Sequence, residues 1–299
     1  MIVVRTVFRR GSLLRGVDVI RPLQGGIVSL AMILGGLHPA YANDEDSEKR
    51  ATVPQRPNIY LDVSTAYTSV PPNTLAIGFR NFVSPIPAAA QVVTLNAPLT
   101  VDISDRFSIY SGVSASTART DFAPWSSMNL DSWNVGFNAD VVQQDGLVPT
   151  VTVISTLTRS INSAPGLAST SNQTIVELDY ALDDDTTRGL LAGTRLTSVW
   201  VDSGLAKVEP VFVGYLGGYY QWPSNWKLSG RFGIQTFGGA QFAGGIIRAK
   251  PFTQPTFRID IDRMDDNDNR LFGASLEVAW TPQPLIQMTL RTPLYAVRN

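Results

Sequence analysis

The chain contains no cysteine, which removes disulfides and thiolate metal sites together. It has one histidine, His38. Only 16% of its residues are charged, with 24 basic side chains against 25 acidic, so no basic stripe suggests nucleic acid as a partner. Long apolar runs are also missing. The longest, Gly25 to Leu37, has Ser29 as its only hydroxyl and falls well short of the ~20 residues a membrane-spanning helix needs. No segment sustains a helical period. A helical membrane protein and a disulfide-stapled secreted domain are both excluded.

What is present begins with a leader. Arg5, Arg9, Arg10, Arg15 and Arg21 precede the apolar run, and Ala40-Tyr41-Ala42 follows it. Basic region, apolar region and small-residue site, in that order, predict a secretory signal peptide over 1–42, with Ala40 and Ala42 at the cleavage site. His38 leaves with it, so the mature chain has no imidazole. The leader takes five arginines and one acid, and the remaining 257 residues carry 19 basic and 24 acidic side chains. Residues 43–57 are acidic, then proline-bearing, and read as a mobile tail.

From Ile59 onward a two-residue alternation dominates. It is clearest in Asp131–Val141, where Trp133, Val135, Phe137, Ala139 and Val141 fall on one side and Ser132, Asn134, Gly136, Asn138 and Asp140 on the other. A strand turns successive side chains to opposite faces, and this length suits the ~9–11 residues of a tilted strand crossing a bilayer. A soluble sandwich would alternate too. The aromatics discriminate, because all six Trp stand at a strand end or beside a turn. Trp133, Trp200, Tyr219, Trp222, Trp226 and Trp280 are assigned to an interfacial girdle.

The fold expected is therefore all-β, an antiparallel up-and-down transmembrane barrel over 58–299, in outer-membrane lipid. Short turns, such as Ser104–Arg106 and Gln221–Asn225, alternate with longer connections, such as Thr117–Asn129 and Gly238–Pro255. Thirteen good strands can be counted, Leu75–Arg80 among them, whereas bacterial single-chain barrels have even numbers. Leaving Ile59–Thr68 outside the wall gives about 12. Adding the Gly- and Ala-rich Gln241–Ala249 gives about 14. The first is preferred, since it puts both ends on the short-turn side.

Three places resemble a Gram-negative outer-membrane transporter family named for the meta-pathway of phenol degradation. They are Asp102–Ile109 around its Asp-Arg turn, Trp133–Phe137 with Pro149, and Thr292-Pro293-Leu294-Tyr295. The resemblance implies a barrel passing small solutes, hydrophobic or aromatic ones included. The chain departs from outer-membrane barrels in general by ending Ala296-Val297-Arg298-Asn299, with only Tyr295 to stand for the usual terminal aromatic.

On the polar face the sequence assigns Asp62, Arg80, Asp140, Glu177, Asp179, Arg195, Glu209, Arg231, Arg258, Asp260, Asp262, Glu277 and Arg291 to the lumen. Such a set either lines an open pore or pairs across a narrow barrel and fills it. If the pore is open, the acidic majority favours cations. Catalysis is not expected, because outer-membrane hydrolases and acyltransferases generally use imidazole as general base. Lys227 with Ser229, and Asp260 with Asp262, share faces as any strand neighbours do. Asp265–Asn269 lacks the sixth-position Gly and twelfth-position Glu of a calcium loop, and Asp183–Asp185 reads as a solvated turn. No cofactor or metal is implied, and nothing fixes an oligomeric interface.

Overall fold

The computed structural model describes residues 58–297 apart from 73, 76–84, 87–88, 162–167, 203–205, 243–246, 266–269 and 282. The leader with Ala40 and Ala42, the tail 43–57, Arg80 and most of Asp265–Asn269 therefore lie outside the described residues. Twelve strands form the wall. These are β1 (Ile59–Val70), β2 (Ala90–Ser104), β3 (Phe107–Thr120), β4 (Asn129–Val142), β5 (Thr150–Ser160), β6 (Ser169–Ala181), β7 (Arg188–Val201), β8 (Val211–Gln221), β9 (Trp226–Phe237), β10 (Phe252–Met264), β11 (Arg270–Thr281) and β12 (Gln283–Val297). Each pairs antiparallel with its sequence neighbour, and β1 closes the barrel against β12 from Ile59↔Val297 to Ser69↔Ile286. Closure leaves no wall strand with an unpaired edge.

Burial is the inverse of a soluble protein. Leu99, Val113, Leu196, Leu216, Phe232, Ile234, Met288 and Leu290 stand exposed on the outer surface, Leu216 at 71%. Ser64, Thr94, Ser114, Asn134, Thr197, Thr256, Asp260 and Glu277 are buried toward the inside. Water would drive the first set inward. A bilayer outside and water inside hold both sets where they are. In Asp131–Val141 the assignment by parity holds: Trp133, Val135 and Val141 are exposed while Ser132 and Asn134 are buried.

The two ends differ. Short turns join β2–β3, β4–β5, β6–β7 and β8–β9. At Trp222–Asn225 the Asn225 amide donates to the Trp222 carbonyl at 2.9 Å, and Asn225 takes φ 60°, a left-handed conformation that asparagine tolerates. At the opposite end the connections are longer, except that one residue, 282, separates β11 from β12. There the short strands Ala206–Val208, Ala240–Phe242 and Ile247–Ala249 form a small separate sheet, and Thr74–Leu75 pairs with Pro85–Ile86.

The strand number is twelve, reached differently from the expectation. Ile59–Val70 is a wall strand, hydrogen-bonded on both sides. The expected strand Leu75–Arg80 lies, but for Leu75, outside the described residues, and the twelve are counted without it. Its described start pairs locally with Pro85–Ile86, on a stretch whose prolines at 71, 72, 85 and 87 cannot donate to a ladder. Gln241–Ala249 adds no wall strand, because its two described pieces belong to the small sheet.

Candidate functional site

The lumen is the site, and it divides into three zones along the strands. Near the short-turn end face Asp62, Asp102, Asp140, Asp179 and Asp262, with Lys227 and Arg270. Asp102 accepts from the Tyr60 hydroxyl at 3.1 Å, Asp140 accepts from Thr152 Oγ1 at 2.7 Å, and Asp262 pairs with Arg270 at 2.8 Å. Near the long-loop end the inward side chains turn apolar or amide. Val199, Val211 and Phe237 cluster with Val208 and Ala240 of the small sheet, Val70 and Ala90 cluster with Ala279 and Leu285, and Gln254 donates to Gln235 at 3.1 Å.

Between these ends lies a network of ion pairs. Asp260, only 4% exposed, meets Arg258 at 2.7 Å, Arg231 at 3.6 Å, and Arg291. Arg231 reaches on to Glu177 at 3.0 Å, and Arg258 to Glu277 at 3.7 Å. Arg195 of β7 meets Glu277 of β11 at 3.3 Å. Those two strands are four steps apart around the wall, so this pair is a chord through the lumen and not a cross-strand neighbour contact. Four arginines and three carboxylates make the network net positive by one.

Tyrosines brace this wall from within. Tyr110, Tyr215 and Tyr219 each stand in register with a glycine of the next strand, Gly136, Gly193 and Gly189. Each ring lies where a glycine Cβ would be, 2.5–2.6 Å from the ring or its oxygen. The hydroxyls reach one strand further: Tyr110 to Thr156 at 2.5 Å, Tyr215 to Glu177 at 2.7 Å, and Tyr219 to Asp179.

The arrangement is lopsided. Among the described residues the inward positions of β1–β5 carry no lysine or arginine. They are mostly Ser, Thr, Asn, Gly and Ala, with Ser114 and Asn134 both donating to Asn96 Oδ1 at 2.9 and 3.3 Å. Among the described residues every lumen cation belongs to β7 or to β9–β12. The field across the lumen therefore has a fixed direction.

Of the residues assigned to the lumen from sequence, Glu177, Arg195, Arg231, Arg258, Asp260, Glu277 and Arg291 come together in the network. Asp62, Asp140, Asp179 and Asp262 stand at the acidic end. Glu209 does not line the wall. It sits in the connection between Ala206–Val208 and β8, where Lys207 pairs with it at 2.6 Å; the apolar Val208 and Val211 around it had suggested one longer strand. The aromatics fall into two rims. Trp133, Trp200 and Trp280 are exposed near the long-loop end. Trp222 and Trp226 stand at the short-turn end, edge-on to Tyr220 (5.3 Å) and Phe272 (5.7 Å). Tyr219 is the exception. It is 8% exposed and faces inward, with the Lys227 ammonium 4.1 Å from its ring centre. Tyr219 and Tyr220 are consecutive and cannot both face out, and the outward one is Tyr220. Tyr215, Asp102 and Arg270 were not assigned to the lumen from the sequence. Parity along β8 and β2 points Tyr215 and Asp102 inward, but a register shift in the β10–β11 ladder hides Arg270. Among the described residues no group of three or more His, Cys, Asp or Glu could hold a metal ion.

No family model matches the chain, and no curated protein matches it. Among solved structures it resembles an outer-membrane channel from Pseudomonas putida F1, with 10% identity, a TM-score of 0.52, and 85% of this chain covered against 99% of the other. That likeness is one of fold. The transport unit of the autotransporter AIDA-I from Escherichia coli matches at 11% identity and TM-score 0.47, covering 94% of this chain and 99% of that one. The translocator domain of the autotransporter NalP from Neisseria meningitidis matches at 12% and 0.44, covering 91% and 94%.

Proposed function

We propose that this protein is a passive channel for small solutes in the outer membrane of a Gram-negative bacterium, with no catalytic role. The observation that carries the reading is a closed wall of twelve strands, apolar outside, whose β1–β5 sector turns mostly small hydroxyl and amide side chains inward. A barrel of about eight strands has an interior that side chains just fill. Four more strands widen it, and serines, threonines and glycines do not fill the added space. The packed alternative would need bulky side chains on both sides of the lumen, and they are concentrated on β6–β12. A soluble periplasmic barrel is disfavoured by the apolar exterior, which would be an aggregation surface in water.

The acid-rich end and the net-positive middle supply opposite local charges, so selectivity is set by position along the lumen and not by total charge alone. Small hydrophobic or aromatic solutes are the class that the family resemblance implies. The protein should fractionate with outer membranes, and proteoliposomes containing it should swell in isotonic small sugars at rates falling with solute size. Recovery as a detergent-free soluble protein, or no swelling above empty liposomes, would refute the reading.

A further inference from the structure

The middle zone encloses a cavity of about 230 Å³, below the ~300–1,000 Å³ of pockets for drug-sized ligands. Arg195, Arg231, Arg258, Glu177 and Glu277 line it. So do three aliphatic side chains, Ile154 of β5, Ile175 of β6 and Val213 of β8. Two of them are unlike their inward neighbours: Ile154 lies between Thr152 and Thr156, and Ile175 between Gln173 and Glu177, whereas Val213 follows the apolar Val211 and is itself buried. None of them belongs to the apolar clusters at the long-loop end. Aliphatic surface held against a polar lumen is unfavourable until something apolar covers it.

The charges are unbalanced in the same place. Three guanidiniums face two carboxylates, and adding the adjoining Asp260 and Arg291 leaves the surplus at one positive charge. Arg195 gives one nitrogen, Nη2, to Glu277 at 3.3 Å, and Arg231 Nε has no hydrogen-bond partner among the described residues. A guanidinium is a planar fork of donors that matches a carboxylate.

We infer that this cavity is a subsite for small apolar monocarboxylates, the carboxylate neutralising the surplus at Arg195 and the hydrocarbon covering Ile154 and Ile175. The inference deepens the channel reading by naming a solute class, and rests on that reading for transport though not for binding.

Equilibrium binding of benzoate to the refolded protein in detergent, followed by calorimetry with uncharged benzamide as control, tests it. Benzoate should bind at least about tenfold more tightly than benzamide, the worth of one charge-assisted hydrogen bond. Arg195→Gln should erase that difference, Arg195→Lys should restore part of it, and Ile175→Asn should weaken both ligands. Heat-modifiable migration on gels reports whether each variant is folded. If Arg195→Gln does not fold, the benzoate-to-benzamide ratio in the parent and the Ile175→Asn result decide. Equal affinity for the two ligands in the parent, or benzoate binding untouched by substitution, overturns the inference. A barrel that conducts chloride but treats both ligands alike loses the subsite and keeps the channel. One that binds benzoate yet is silent in bilayers keeps the subsite and loses the channel.

Discussion

Tyr215 lies across Gly193 of the neighbouring strand, its hydroxyl 2.5 Å from where a Cβ on that glycine would stand, and donates to Glu177 at 2.7 Å. One residue without a side chain thus lets a tyrosine span three strands and hold one carboxylate of the ion-pair network. Gly193→Val should push the ring off, detach Tyr215 from Glu177 and cost about 1–3 kcal/mol, as overpacking usually does. Urea unfolding in lipid vesicles measures the loss. Tyr215→Phe, which keeps the ring and removes the hydroxyl, should cost less, about 0.5–1.5 kcal/mol for one hydrogen bond.

Two exposed leucines separate exposure to lipid from exposure to water. Leu216 is mid-strand in β8 at 71% and Leu147 is in the β4–β5 turn at 89%. Leu216→Arg should cost about 2–4 kcal/mol, the value for a cation near the bilayer midplane, whereas Leu147→Arg should cost about 0–1 kcal/mol. Equal effects on refolding yield in vesicles would mean that both leucines face the same solvent.

Asp260 answers to three arginines. Asp260→Asn should raise the middle zone's net charge from one to two and move the reversal potential in a salt gradient toward anions. Unpaired, partly wetted guanidiniums should also cost about 1–3 kcal/mol of stability. Raising the salt should shrink the selectivity shift as the Debye length falls below ~8–10 Å. An unchanged reversal potential would place Asp260 off the conduction path.

The β6–β7 turn gives a pH test outside the membrane span. Asp183 accepts from the Thr187 hydroxyl, and from its amide at 2.8 Å. These bonds, the hydroxyl's foremost, hold its carboxyl below the ordinary range. The folded value being the lower one, the turn's stabilisation is full above the unfolded Asp value of ~3.9 and is lost as pH falls through the folded value. Carboxyl-carbon NMR should show Asp183 titrating below the ordinary aspartate range, and Thr187→Val should move it up.

Much of this was legible along single strands and little of it between them. Period-two parity placed Trp133 and Val135 outward and Ser132 and Asn134 inward, because the alternation there is uninterrupted. Parity also put seven of the network's residues on the wet face. It could not say that Arg195 meets Glu277 through the lumen, since ladder register and barrel closure bring β7 toward β11 and neither is written in local sequence. Where two like residues adjoin, as at Tyr219-Tyr220, composition offered no choice between them. Leu75–Arg80 alternates like a wall strand, yet its described start pairs locally with Pro85 in a proline-bearing stretch.

The most direct test of the account is the current through single refolded barrels in planar bilayers. An open lumen predicts stepwise, steady conductance. The step should differ between the two voltage signs when insertion is one-sided, because acid lines one end and the middle carries a positive surplus. A folded, heat-modifiable barrel that inserts and passes no current would contradict it.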